Sequence, residues 1–279
     1  MIKVILLDID GTLTNSKKEI TPKTKEALLK VQESGVQLVL ASGRMANGLS
    51  KYAKELDMYN HNGLFVCANG AEVINCQTGE VLFKKAMTVK EGKAVLEHIK
   101  QFDIIPMIAK GEHMFTNDVF NNTIIWNDKP WNIMQYEARS NNYLLCEQRD
   151  LVEWCDFEIT KILTFGQPEY LQEHYKEIGA PFDYLSHMFT APYYYEFTAK
   201  GIDKTKAIQE TIGKLYKQDE MMAFGDAQND QTMVKYAGIG VAMGNAVDSL
   251  KEVANEITLS NEDDGIAYSL YKHFPEVFK

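Results

Sequence analysis

The sequence predicts an α/β protein whose parallel sheet is assembled from both ends of the chain. Three observations carry that expectation. Short apolar runs alternate with helical segments over residues 2–68, the same rhythm returns over 203–273, and a stretch of different texture, from about 85 to about 187, separates the two.

The first run, IKVILL (2–7), is continuous rather than alternating, the pattern of a central strand buried on both faces. ITPKTKEALLKVQESG follows as a helix, with Thr21 as N-cap, Pro22 at the first helical position and Gly35 at the stop. VQLVLA (36–41) is a second strand, Met45 to Leu56 a second helix and LFVCA (64–68) a third strand. AEVINCQTGEVLFKKA reads as a hairpin with QTG near its turn. The interposed stretch holds Trp126, Trp131 and Trp154 and several Asn-rich loops. Strands are expected in it at 104–109, 113–117 and 157–165, and helices at about 89–101 and 168–177. A helix at about 203–215, the strand MMAFG (221–225), a helix at about 229–236, the strand IGVAM (239–243) and helices near 247–253 and 264–273 complete the chain. The expected architecture is a three-layer, Rossmann-like parallel-sheet core with an inserted α+β domain.

Bulk composition narrows the function classes. The 279 residues are enough for one large domain or two ordinary ones, and 45% hydrophobic content supports a sizeable core. A formal charge of -10 repels phosphate backbones, which argues against a nucleic-acid scaffold. Cys67, Cys76, Cys146 and Cys155 form no CxxC pair and have no His at zinc-like spacing, so free thiols in a reducing compartment are expected. Asp8 interrupts the N-terminal apolar run, and no stretch approaches the roughly 20 apolar residues of a membrane span. We therefore expect a soluble cytoplasmic protein with no membrane partner.

In open parallel sheets ligands bind beyond the carboxyl ends of the strands. The polar residues just past each expected strand are Asp8, Asp10 and Thr12; Ser42, Gly43 and Arg44; Asn69; and Asp226, Asn229 and Asp230. Alternation along an extended strand would point Asp8 and Asp10 the same way. Such a gathering of acids is costly without a cation, and an oxygen-only donor set without His or Cys favours Mg²⁺. A carboxylate nucleophile, Mg²⁺ and a lysine together suit phosphoryl transfer, with a second acid to handle the proton.

DIDGT (8–12), ASGR (41–44), KGIDK (200–204) and GDAQND (225–230) resemble, in order, the four motifs of the haloacid dehalogenase-like superfamily. The tail AMGNAVDSLKEVANEITLSNEDDG (242–265) and an insertion of about a hundred residues between the second and third motifs resemble its Cof-type, IIB branch. The resemblance implies a catalytic core over 1–84 and 188–279 and a C2-type cap over 85–187 that closes over the crevice and selects the leaving group. It implies roles as well. Asp8 would be nucleophile and Mg²⁺ ligand, and Asp10 the general acid/base with its main-chain carbonyl on the metal. Thr12 would hold the loop, and Ser42, Gly43 and Asn229 the phosphate. Lys204 would orient the nucleophile, with Asp226 a direct Mg²⁺ ligand and Asp230 a ligand or supporting partner. Thr205 stands where Gly is commoner, and Ala227-Gln228 where Ser-Glu or Gly-Glu is common.

Plainer readings compete at several positions. Ser42 and Arg44 suit helix capping, Lys204 suits a solvated helix face with Lys200 as its rival, and Asn69-Gly70 suits a simple turn. The glycines of GIGVAMG (238–244) are misplaced for a dinucleotide loop and read as turns, and Tyr193 to Tyr195 read as strand packing. The expected function is a Mg²⁺-dependent phosphatase of small phosphorylated metabolites acting through an aspartyl-phosphate on Asp8. A sugar phosphomutase is the alternative. A phosphate-metabolite sensor without turnover is a third reading, against which Asp10 speaks.

Overall fold

The computed structural model describes all residues, Met1–Lys279, as two compact units. One unit comprises Met1–Lys84 with Asp203–Lys279, the other Lys85–Ile202. In chain order the first unit begins β1 (Val4–Leu7), α1 (Pro22–Glu33), β2 (Gln37–Ala41), α2 (Ala46–Glu55), β3 (Leu64–Cys67), β4 (Glu72–Asn75) and β5 (Val81–Lys84). The second unit holds α3 (Val89–Ile99), β6 (Ile105–Lys110), β7 (His113–Thr116), β8 (Thr123–Trp126), β9 (Lys129–Asn132), α4 (Ile133–Ser140) and β10 (Leu144–Glu147). It continues with α5 (Leu151–Trp154), β11 (Lys161–Phe165), α6 (Pro168–Gly179), β12 (Leu185–Ala191) and β13 (Tyr194–Ala199). The first unit resumes with α7 (Lys204–Glu210), β14 (Met221–Gly225), α8 (Gln231–Tyr236), β15 (Ile239–Ala242), α9 (Asp248–Lys251), β16 (Glu256–Ile257) and α10 (Gly265–His273).

The first unit is an α/β fold on one eight-stranded sheet, ordered β16-β15-β14-β1-β2-β3-β4-β5. It is parallel from β16 to β3, and the hairpin β4–β5 extends it antiparallel. The continuous apolar run of β1 is explained by its place: β14 and β2 pair with it on either side, and Val4, Ile5, Leu6 and Leu7 are fully buried. Thr21 caps α1 by accepting from the Thr24 amide at 3.4 Å, with Pro22 at the first helical position as expected. The helix expected over 203–215 is shorter. Thr211 donates its hydroxyl to the Ala207 carbonyl at 2.6 Å, and Ile212–Lys214 continue as a 3₁₀ turn.

The second unit is a six-stranded sheet, ordered β10-β7-β6-β11-β13-β12, with a separate hairpin β8–β9. α3, α5 and α6 supply buried residues to one apolar cluster, which includes Leu96, Ile108, Leu171 and Phe197. β8 and α4 contribute to another with Met107, Leu163 and Phe165. Tyr194 and Tyr195 open β13 and pack as strand residues, whereas Tyr193, expected with them, lies in the preceding turn and packs edge-on against Trp126 and Trp131. The boundary expected after residue 187 falls instead after 202, because β12 and β13 pair with each other and β13 with β11 in this second sheet. The repeated apolar and aromatic strand composition of 185–199 is compatible with either sheet, so nothing local announces which one it joins.

No helix is long and apolar enough to cross a membrane. The four cysteines form no disulfide.

Candidate active site

The register of the parallel strands levels the motifs. Leu7 lies beside Phe224 on one side and Leu40 on the other, so the chain continues as Asp8, Asp226 and Ser42 at neighbouring strand ends. The Asp8 amide donates to the Phe224 carbonyl at 3.1 Å, carrying the ladder one residue past β1. This is the sheet edge where the sequence placed the site.

Lys204 is the centre of the buried charge. It is the first residue of α7, whose N-cap Asp203 accepts from the Thr205 and Lys206 amides at 2.9 and 3.1 Å. Gly70 (φ +99) packs so closely on the Asp203 carbonyl that a Cβ there would collide with it. Fixed this way, the Lys204 ammonium donates to Asp8 Oδ1 and to Asp230 Oδ1, each at 2.6 Å, with no solvent exposure. The rival Lys200 instead donates to the Asp183 carbonyl at 2.8 Å.

Both oxygens of Asp230 are engaged. Its Oδ1 takes Lys204, and its Oδ2 accepts from the Asp226 and Ala227 amides at 3.1 and 3.0 Å. Asp226 accepts from the Thr12 hydroxyl at 2.7 Å, which joins the loop after β1 to the loop after β14. Gly11 (φ +89) lies against the Asp226 carboxylate, and a side chain there would strike it. Asn245 donates to the Gly11 carbonyl and Asn261 to the Thr14 carbonyl, each at 2.8 Å, so the C-terminal tail motif braces the same loop.

One carboxyl oxygen each from Asp8, Asp226 and Asp230 lie within 4.8 Å of one another. Three buried or half-buried acids around one lysine leave uncompensated negative charge, and all the donors are oxygens. That composition fits Mg²⁺. Burial, with Asp230 adding to it, pushes the Asp8 carboxyl well above the usual range, and Lys204 opposes this. Burial works against charge on Lys204, but Asp8 and Asp230 outweigh it and hold the ammonium charged. Burial raises Asp226 to about 6, with the Thr12 hydroxyl working against the rise and Asp230 with it.

Asp10 departs from the sequence expectation. Its carboxylate does not join the Asp8 cluster; it accepts from Arg44 Nε and Nη2, each at 2.9 Å, and from Lys18 Nζ at 2.7 Å. β1 ends at Leu7 and the chain turns through the positive-φ Gly11, so Asp10 lies in the loop beyond the strand rather than on it. Burial would raise the Asp10 carboxyl, but the hydrogen bond and charge of Arg44, then those of Lys18, bring it to about 2. Sequence reasoning named Arg44 without assigning it a function and missed Lys18, whose left-handed backbone (φ 61) carries no local signal.

Ser42 is buried, and its Oγ accepts from the Arg44 amide at 3.2 Å. Asn69 packs against Gly43, and Asn229 donates to Asn69 Oδ1 at 3.1 Å. The structure therefore gathers Ser42, Gly43, Asn69 and Asn229, each of them expected just past a strand, in one neighbourhood.

A parallel-sheet edge carrying a buried aspartate–lysine–aspartate chain, an adjacent acid and a serine loop defines a phosphoryl-transfer class of site. The chain belongs to the haloacid dehalogenase-like hydrolases, the family it matches over residues 5–270, and within them it is a Cof-type phosphatase. It is similar to a solved haloacid dehalogenase-like hydrolase from Bacteroides thetaiotaomicron, with TM-score 0.91 and 32% identity, covering 98% of this chain and 100% of that one. It is similar also to a solved subclass IIB sugar phosphatase, with TM-score 0.76 and 26% identity, covering 98% and 99%. A curated relative is the 5-amino-6-(5-phospho-D-ribitylamino)uracil phosphatase YcsE of Bacillus subtilis (strain 168), 29% identical over 273 residues, covering 96% of this chain and 94% of the relative.

Proposed function

We propose that the protein is a Mg²⁺-dependent phosphatase of small-metabolite phosphate monoesters that works through an aspartyl-phosphate on Asp8. The observation that carries this reading is the fully buried Lys204 ammonium, 2.6 Å from both Asp8 and Asp230. The lysine favours the ionised form of Asp8 against its burial and orients it at the strand end, where the carboxylate can attack phosphorus. Ser42, the Gly43 amide and Asn229 would hold the phosphoryl oxygens. As Asp8 bonds to phosphorus the ester oxygen leaves and takes a proton from Asp10. Asp10 then takes a proton from water, the water oxygen attacks phosphorus, and phosphate departs with Asp8 restored.

The acid half of this cycle requires Asp10 to exchange its Arg44 and Lys18 partners for a proton. The base half uses the ionised form these cations favour. Asp8, Asp226 and the Asp10 main-chain carbonyl would hold Mg²⁺, with Asp230 placing Lys204 and the Asp226 loop. When bound, Mg²⁺ offsets charge on the transferring oxygens. Residues 85–202 are read as the specificity-setting cap. The named substrate of YcsE and the sugar phosphatase suggest polyol or sugar phosphates as the first esters to try. A cytoplasmic location accompanies this reading.

The test is phosphate release from a panel of sugar, polyol and cofactor phosphates with and without Mg²⁺. Release that needs Mg²⁺ is expected; isomer interconversion without release would favour a mutase, and no turnover of any kind a sensor.

The metal reading has its own pH signature. Below about 6 the Asp226 carboxyl takes up a proton, so the Mg²⁺ concentration for half-maximal activity should rise as pH falls through that value. Stability follows the same sign. The folded-state value lies above the ordinary 3.8, so in the metal-free protein Asp226 lowers stability as pH rises from 3.8 to about 6. Mg²⁺ relieves that penalty, and its Tm increment should be larger at pH 7.5 than at pH 5. An increment independent of pH would remove Asp226 from the metal site.

A further inference from the structure

We propose that Asn69 is a further phosphoryl-binding residue, its side-chain amide donating to a phosphoryl oxygen alongside Ser42, Gly43 and Asn229. This rests on the phosphatase reading and extends it to a residue that no motif includes. The turn after β3 is unusual: Ala68 (φ 46), Asn69 (φ 56) and Gly70 (φ 99) are left-handed in succession. For an alanine this conformation is unfavourable, and it persists only where surrounding contacts impose it. Those contacts come from the phosphate loop. The Ala68 amide donates to the Arg44 carbonyl and the Asn69 amide to the Ser42 carbonyl, each at 2.9 Å.

The side chain of Asn69 is directed the same way. Its Oδ1 accepts from Asn229 Nδ2 at 3.1 Å, so its carbonyl end is engaged. Its Nδ2, which can only donate, lies beside Gly43, 3.2 Å from where a Cβ on that glycine would stand. A half-buried amide donor beside the backbone of a phosphate loop has a natural partner in an anionic oxygen. The second hydrogen of Asn229 Nδ2 is presented from the same pair, because Asn69 fixes that amide's orientation. The combination adds neutral donors to the charge that Lys204 supplies, without adding another cation to the crowded acid cluster.

A turn role alone would make a different forecast. Asn and Gly both suit left-handed turns, so Asn69→Gly keeps the backbone and deletes only the amide. Asn69→Asp keeps shape and the acceptor for Asn229 but replaces the donor with a negative charge. The measurement is the dissociation constant for inorganic phosphate, by calorimetry on the full chain with Mg²⁺, together with Tm. Asn69→Gly should bind phosphate at least tenfold more weakly with unchanged Tm, in line with the loss of a hydrogen bond to a charged group. Asn69→Asp should bind more weakly still. Parent-like phosphate affinity in Asn69→Gly would overturn the proposal, and parent-like affinity in Asn69→Asp would reassign the residue to holding Asn229. The affinity comparison stands whether or not a turnover substrate has been found; a parent that binds phosphate but hydrolyses no ester would instead overturn the phosphatase reading.

Discussion

Asp8→Asn should abolish ester hydrolysis, by roughly 10⁴-fold or more, the scale on which removal of a covalent nucleophile is felt. The replacement is nearly isosteric, and its amide oxygen can still accept from Lys204, so the fold has no reason to change. Stability should rise. Burial and Asp230 hold the Asp8 carboxyl above its ordinary value of 3.8, which means the folded state resists ionising it. The parent therefore loses stability from Asp8 as pH rises above 3.8, and the asparagine variant does not. Its Tm advantage should be clear at pH 7.5 without Mg²⁺ and should vanish as pH falls toward 4. Phosphate-release assays and thermal melts at the two pH values check both halves. Turnover within tenfold of the parent would refute the nucleophile assignment outright, and an active but less stable variant would refute the electrostatic account too.

Lys204→Met should cost both activity and stability. Asp8 and Asp230 would face each other at a fully buried position with no cation between them. Breaking a buried ion pair from one side costs about 3–5 kcal/mol, because an uncompensated charge stays behind. For a chain of this size that is a Tm loss on the order of 10 °C. Part of it should be recovered at low pH, since the abandoned Asp8 carboxyl, already raised by burial, can then take up a proton. Lys204→Met/Asp230→Asn removes one of the two acids and should recover more of the Tm while leaving activity at least 10²-fold down. A Tm unchanged in Lys204→Met at pH 7.5 would mean that the buried triad is not held as described.

Much of this site was legible because parallel strands obey simple rules. An unbroken apolar run marks a central strand, and a polar residue immediately after it lies at the ligand edge. Asp8, Ser42 and Asp226 followed from that reasoning, and Lys204 from its place at the start of a helix in the third motif. What was not legible depended on turns and long-range pairing. Asp10 lies beyond the last residue of β1, where alternation no longer governs direction, so its partnership with Arg44 and Lys18 could not be read. The strands β12 and β13 look locally like those of either sheet, so the domain boundary was placed too early. Asn69 is legible as a polar residue just past β3, but turn and ligand roles are not separable there, because its contacts come from residues 42–44 and 229.

The order of strands also bears on how the chain reaches this state. β1 is paired by β14 on one side and β2 on the other, and Thr12 meets Asp226 across 214 positions of sequence. During synthesis, β1–β5 emerge long before β14. Until it docks, β1 is an open, wholly apolar sheet edge, the kind of surface that invites pairing with another chain. Closing so long a loop is slow rather than prohibitive, since loop entropy grows only logarithmically with length. Fragments ending before Met221 should therefore aggregate. In the intact chain, assembly of the active site and burial of that edge are the same event, so molecules that have not completed the site remain exposed to quality control.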